Sequence, residues 1–166
     1  MEFLLSDIEK ALNGGLYFIA LQSTLTLPDI CGYLEHGRNK AVGKRYSDWY
    51  RDNMITDVNL SADQCYMFRC KLLHQGLSQY TEDNQEKIVF AYPKCGATIA
   101  NCSFIEDGKL TISIDLLDFC HDMIKSVRIW QGKVKDNKEI QERYADLIKV
   151  HPEGYKNFIV GIPFIG

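Results

Sequence analysis

Apolar residues at the start of the chain recur at helical spacing. Ile8, Leu12, Leu16 and Ile19 share one face, and Ser6 followed by Glu9 forms a capping box ahead of them. Gly14 and Gly15 weaken this predicted helix from within. Pro28-Asp29 predicts the start of a short second helix over 28–35. A glycine-flanked loop at 37–45 follows, then a helix from about Lys44 to Asn53 that presents Tyr46, Trp49 and Tyr50. Ser61 and Gln64 make a second capping box, opening a helix that stops near Gly76.

The period then changes to that of strands. Residues 87–92 and 98–104 are strand candidates, and Asp107-Gly108 turns the chain into a third at 109–114. Asp115 and Asp118 cap the next helix, whose core face is Leu116, Cys120, Met123, Ile124 and Val127. Asp136 opens a last helix with Ile140, Tyr144, Leu147 and Ile148 on one side, ended by Pro152. The tail from Tyr155 to Gly166 is too apolar for a solvated end and is expected to dock on the body or on a partner chain. The pattern predicts one domain over 1–166, mainly α (α+β), with a small antiparallel sheet inserted at about 87–114.

The chain has 166 residues, of which 46% are hydrophobic and 25% charged, which suits one globular domain and excludes wholesale disorder. No apolar run reaches the length of a membrane span. The opening segment, acidic after a short apolar stretch, predicts no signal peptide. A net charge of −3 confines any nucleic-acid role to a local site. Six cysteines (Cys31, Cys65, Cys70, Cys95, Cys102 and Cys120) lack Cys-x-x-Cys spacing and sit mostly among apolar neighbours. They are expected to be reduced thiols of a cytoplasmic protein.

The helix over 61–76 holds a contradiction. On a wheel, Gln64, Lys71 and Gln75 make a solvent face, and Ala62, Cys65, Tyr66, Leu72 and Leu73 cluster opposite them. Arg69 falls among the apolar residues, and an unpaired buried charge costs several kcal/mol. Either a carboxylate from another helix pairs with it, or that face lines a cleft that needs a guanidinium. His74, five residues on, lies roughly 140° around an ideal helix, so the two meet only if the arginine reaches around, the helix ends between them, or a second copy contributes. Cys70 and His74 do share a face, but no oxyanion loop or further metal ligand accompanies them.

The run Arg69-Cys70-Lys71-Leu72-Leu73-His74-Gln75-Gly76 resembles the Arg-x(4–6)-His motif of HEPN domains. The resemblance covers about 6–76 and the helices over 115–151; Cys70 departs from the polar residue common after the motif arginine. It implies a HEPN-like helical bundle, often dimeric, and a metal-independent ribonuclease of toxin–antitoxin or defence systems. Arg69 and His74 would be its catalytic pair in a cleft across a homodimer, and an antitoxin protein its further partner. Without enzymatic activity, the same fold would serve as a binding or regulatory module with Arg69 as a structural ion-pair residue.

The residue types suit that chemistry. A histidine can take the ribose 2′-hydroxyl proton, and an arginine offers a fixed fork of donors to phosphate. Arg38, Lys40, Lys44, Arg45 and Lys71 are the candidate RNA-binding cations, with Tyr46, Trp49 or Tyr50 either stacking on bases or packing in the core.

Overall fold

The computed structural model describes residues 1–56, 59–78, 86–92, 101–155 and 159–166. The predicted Cys95, the start of the second strand candidate (98–100) and part of the tail (156–158) lie outside them.

Leu5, Ile8 and Leu12 bury one face of α1 (Glu2–Asn13). This helix begins a full turn before the expected cap. Ser6 therefore lies within it, and Glu9, instead of closing a capping box, accepts hydrogen bonds at 2.7 and 3.0 Å from Arg128 on the long helix after the sheet. Gly15, at φ +73°, breaks the predicted helix in two. Leu16 and Ile19 consequently leave the core stripe and stand exposed.

Helix α2 (Tyr17–His36) replaces the short helix expected at Pro28, because it runs straight through that proline. Proline in a helix interior costs about 3 kcal/mol through its missing N–H and its ring. Here Leu21, Leu25, Leu27 and Leu34 are all buried, and burying each stabilises by about 1.5–3 kcal/mol, so packing wins. From Ala20 onward every residue of the helix is buried or half-buried. Its C-terminal carbonyls are satisfied by arginines: Arg143 donates from Nε to Leu34 O at 2.6 Å and from Nη2 to Glu35 O at 3.2 Å, and Arg45 donates to Gly37 O.

Helix α3 (Val42–Asn53) starts inside the expected loop, so Lys44 and Arg45 are helical. Tyr46, Trp49 and Tyr50 are buried. Helix α4 (Ala62–Gln75) follows its signals. Ser61 and Gln64 close the capping box, and Gly76 ends the helix in the left-handed region at φ 69°.

Strands β1 (Glu86–Ala91), β2 (Cys102–Glu106) and β3 (Lys109–Asp115) form a sheet in the order β1-β3-β2. Asp107 (φ 51°) and Gly108 (φ 73°) make the β2–β3 turn as expected. The sheet is mixed, not wholly antiparallel, because β1 pairs with β3 in parallel, Ile88 opposite Ile112. As the central strand, β3 buries four successive residues, Thr111 to Ile114, on both faces.

Helix α5 (Leu116–Val134) is capped by Asp115, whose carboxylate accepts from the Asp118 N–H at 2.9 Å, and every predicted core residue on it is buried. Helix α6 (Lys138–Ala145) is capped by Asn137, one residue after the expected Asp136, and ends well before Pro152. The protein is thus mainly α with a small β component. Among the described residues no helix is long and apolar enough to cross a membrane. Cys31, Cys65 and Cys120 are buried free thiols, and Cys70 and Cys102 are half-buried and free.

A Cβ at Gly32 would lie 2.7 Å from the Arg45 carbonyl oxygen, so α2 and α3 cross in backbone contact there. Gly32→Ala should cost about 1–3 kcal/mol, read as a lower urea midpoint with an unchanged slope.

Candidate functional site

Helix α4 buries Cys65, Phe68 and Leu72. Phe68 lies on the side expected to face solvent, because β1 covers it: its ring packs 5.4 Å from that of Phe90. The buried line is therefore rotated, and Arg69 stands roughly 70° from its centre, at the flank of the core.

There Arg69 meets α2. Its Nη2 lies 2.5 Å from Asp29 Oδ2, with both side chains largely buried. Its Nη1 lies 3.5 Å from His74 Nε2, at the outer limit of a hydrogen bond, and 3.9 Å from Cys70 Sγ. The helix continues past His74, so of the routes by which the pair could meet, the long arginine reaching around is the one observed. A guanidinium has no acceptor. At this contact the arginine can only donate, so Nε2 serves as acceptor. His74 is exposed and in the last helical turn.

The ion pair is incompletely satisfied. Among the described residues, both buried Asp29 carboxylate oxygens and Arg69 Nε lack a partner in hydrogen-bonding geometry, so Asp29 and Arg69 meet as a charge contact. Burial pushes the Asp29 carboxyl above its ordinary range, although Arg69, Arg45 and His74 pull it down. For Arg69, burial works against the charge, but Asp29, Cys70 and Tyr46 together raise its pKa. Since the folded-state pKa of Asp29 is raised, its contribution to stability is fully present below the unfolded value and is lost as pH rises through the folded one. Burial thus works against the charged form of this carboxylate, and the guanidinium it meets lies between it and His74.

Asp29 is the residue that sequence reasoning missed, having been read only as a helix starter. The one signal was Arg69 itself, since an arginine flanking a core requires a carboxylate; which one, the spacing did not say.

The cations expected to hold RNA are dispersed. Lys40 pairs with Asp48, Lys44 lies 3.9 Å from the same carboxylate, and Arg51, not singled out from sequence, donates to it at 2.7 Å. Arg45 is occupied by Gly37 O and lies over the Tyr33 ring. Arg38 is exposed, and Lys71 is half-buried two residues beyond Arg69. The three aromatics of α3 do not present faces for stacking. Tyr46 pairs with Cys65 Sγ at 3.2 Å, Tyr50 donates to Leu60 O at 3.4 Å, and Trp49 packs edge-on against Trp130, 6.0 Å between rings.

Tyr66 joins this region to the ion pair. Its ring lies 5.3 Å from that of Tyr46 and roofs Gly43, and burial, with its hydrogen bond to Cys70, raises its pKa. Cys70 is thus engaged by Arg69 and Tyr66.

No family model, no curated protein and no solved structure matches this chain.

The Lys40 and Arg51 hydrogen bonds hold the Asp48 carboxyl down at about 2. A lowered pKa stabilises the fold above the unfolded aspartate value near 3.9, and that contribution is lost as pH falls toward the folded one. Wild type should therefore melt higher than Asp48→Asn at neutral pH. The gap should close as pH drops from about 4 to 2, measured by thermal melts across that range.

Proposed function

We propose that this chain is a HEPN-like, metal-independent endoribonuclease, a toxin or defence effector of the cytoplasm. The observation that supports the reading best is the contact between the Arg69 guanidinium and His74 Nε2, held in place by Asp29. The pair was expected from sequence spacing alone to lie on different faces.

The chemistry follows from that contact. A substrate phosphate is a stronger acceptor for Arg69 than a neutral imidazole, so binding RNA draws the guanidinium off Nε2 and frees its lone pair. His74 then takes the proton from the ribose 2′-hydroxyl. The 2′-oxygen bonds to phosphorus as the bond to the 5′-oxygen breaks, and the imidazolium returns the proton to that leaving oxygen. Arg69 stabilises the charge that builds on the non-bridging oxygens. DNA, lacking the 2′-hydroxyl, does not react by this route. Of the candidate cations, Arg38, Lys44 and Lys71 would hold flanking phosphates, since Lys40 and Arg45 are largely engaged within the fold. An antitoxin protein would be the natural partner of such an enzyme.

A second reading is favoured by the 2.5 Å contact of Arg69 with Asp29, which also fits a structural ion pair in a non-catalytic binding or regulatory module.

The two readings separate in one pair of experiments. In excess EDTA the wild type should cleave total RNA, and His74→Ala and Arg69→Ala, each folded by circular dichroism, should lose at least 10²-fold in rate. Wild-type protein that leaves RNA intact would sink the enzymatic reading. The second reading expects Arg69→Ala to lower stability by about 2–4 kcal/mol in urea unfolding with no activity to lose.

A further inference from the structure

Helix α4 carries several of its polar groups on one face. At about 100° per residue Asp63, Cys70 and His74 fall within about 40° of one another, and Tyr66 lies about 60° to one side of Asp63. The later half of this face holds the contact of His74 with Arg69. The earlier half closes a hollow that the cleavage chemistry leaves unused.

The opposite wall is α3. Gly43, Lys44, Ser47, Asp48 and Arg51 stand across from Asp63 and Tyr66 around a space of about 400 Å³. At one end the Tyr66 ring comes down on the α3 backbone, where a Cβ at Gly43 would lie 2.8 Å from it. The charges around this space do not cancel one another completely. Arg51 gives Nη2 to Asp48 at 2.7 Å and Nε to Asp52 at 3.1 Å, which leaves Nη1. Lys44 is 67% exposed and reaches Asp48 only at 3.9 Å, the loosest of the three cations on that carboxylate. Asp63 is exposed, and its carboxylate has no ion pair among the described residues.

These groups select among bases. A carboxylate has no proton to give and accepts two N–H groups at once. Of the RNA bases, guanine alone shows two adjacent N–H donors, N1–H and N2–H, on one edge. Its O6 acceptor lies next to them and suits an arginine donor. Adenine and cytosine set a bare ring nitrogen beside their amino group, and uracil sets carbonyl oxygens on both sides of its N–H, so each brings a lone pair against the carboxylate. A tyrosine ring packs on the flat face of any base, and a lysine meets a backbone phosphate.

We propose that the hollow between α3 and α4 holds an unpaired guanine of a single-stranded RNA, with Asp63 accepting from N1–H and N2–H and Arg51 donating to O6. The inference rests on the ribonuclease reading and gives it a base preference. Asp63 lies eleven residues before His74, about 16 Å along the helix axis, the length of about five stacked nucleotides. Cuts should therefore fall within about five nucleotides of a guanine.

The test is fluorescence anisotropy of the full chain with short 2′-O-methyl oligonucleotides, which keep the bases, lack the reactive hydroxyl and stay whole. One guanine in a uridine background should tighten binding about tenfold or more over uridine alone. Inosine in its place, lacking the 2-amino group, should lose most of that gain. Asp63→Asn should erase the preference for guanine with unchanged circular dichroism, whereas Lys44→Gln should weaken the guanine and uridine oligomers alike and flatten the salt dependence. No binding, equal affinity for the guanine, inosine and uridine oligomers, or a guanine preference that survives Asp63→Asn would each overturn the proposal. So would guanosine monophosphate that binds as tightly as the strand. The outcome is separate from the chemistry: guanine-selective binding by a protein that leaves natural RNA intact counts only against the ribonuclease, and cutting without regard to guanine only against this hollow.

Discussion

Everything in this fold leans on the burial of α2. Helices α1, α3, α4, α5 and α6 all pack against it, so beyond its first turn every residue is buried or half-buried. That enclosure explains features which look unfavourable taken singly. The helix keeps a proline at its centre because the leucines around Pro28 outweigh the lost hydrogen bond. Gly32 is required where the α3 backbone comes too close for any side chain. Its exposed carbonyls are closed by arginines from α3 and α6, which ties the cap of one helix to the placement of two others.

The same enclosure gives the candidate site its character. Asp29 on α2 meets Arg69 on α4, where burial disfavours its ionisation and the guanidinium favours it. The arrangement sets a cation at a fixed point beside an exposed imidazole. Around it, the basic residues of the preceding segment are largely spent on Asp48 and on the end of α2, so the positive charge available to a ligand is narrower than their number suggests.

Where a signal in the sequence was local, it translated directly into structure: the Ser61–Gln64 box, the Gly76 stop, the Asp107-Gly108 turn and the core face of α5 all stand as read. Where the outcome depended on partners distant in sequence, it did not. Pro28 and Ser6 are good helix starters in isolation, and tertiary packing overrode both. The rotation of α4 could not be read without knowing that β1 would cover Phe68. Parallel pairing of β1 was invisible for the same reason, since alternation fixes a strand but not its neighbour. The Arg69–His74 contact was anticipated as a motif, whereas Asp29, forty residues earlier, was not.

Arg128 closes a different kind of circuit. Its guanidinium grips Glu2 and Glu9, 126 and 119 residues before it, and so fastens the first helix to nearly the last. Helices α1, α3 and α4 already cover much of α2, but its surroundings are complete only once α5 and α6 arrive. Loop closure over such separations is slow, and apolar surface stays open while it is awaited. Closure of this domain consequently waits on α5, and part of the apolar surface of α1 and α2 stays open until that helix has been made.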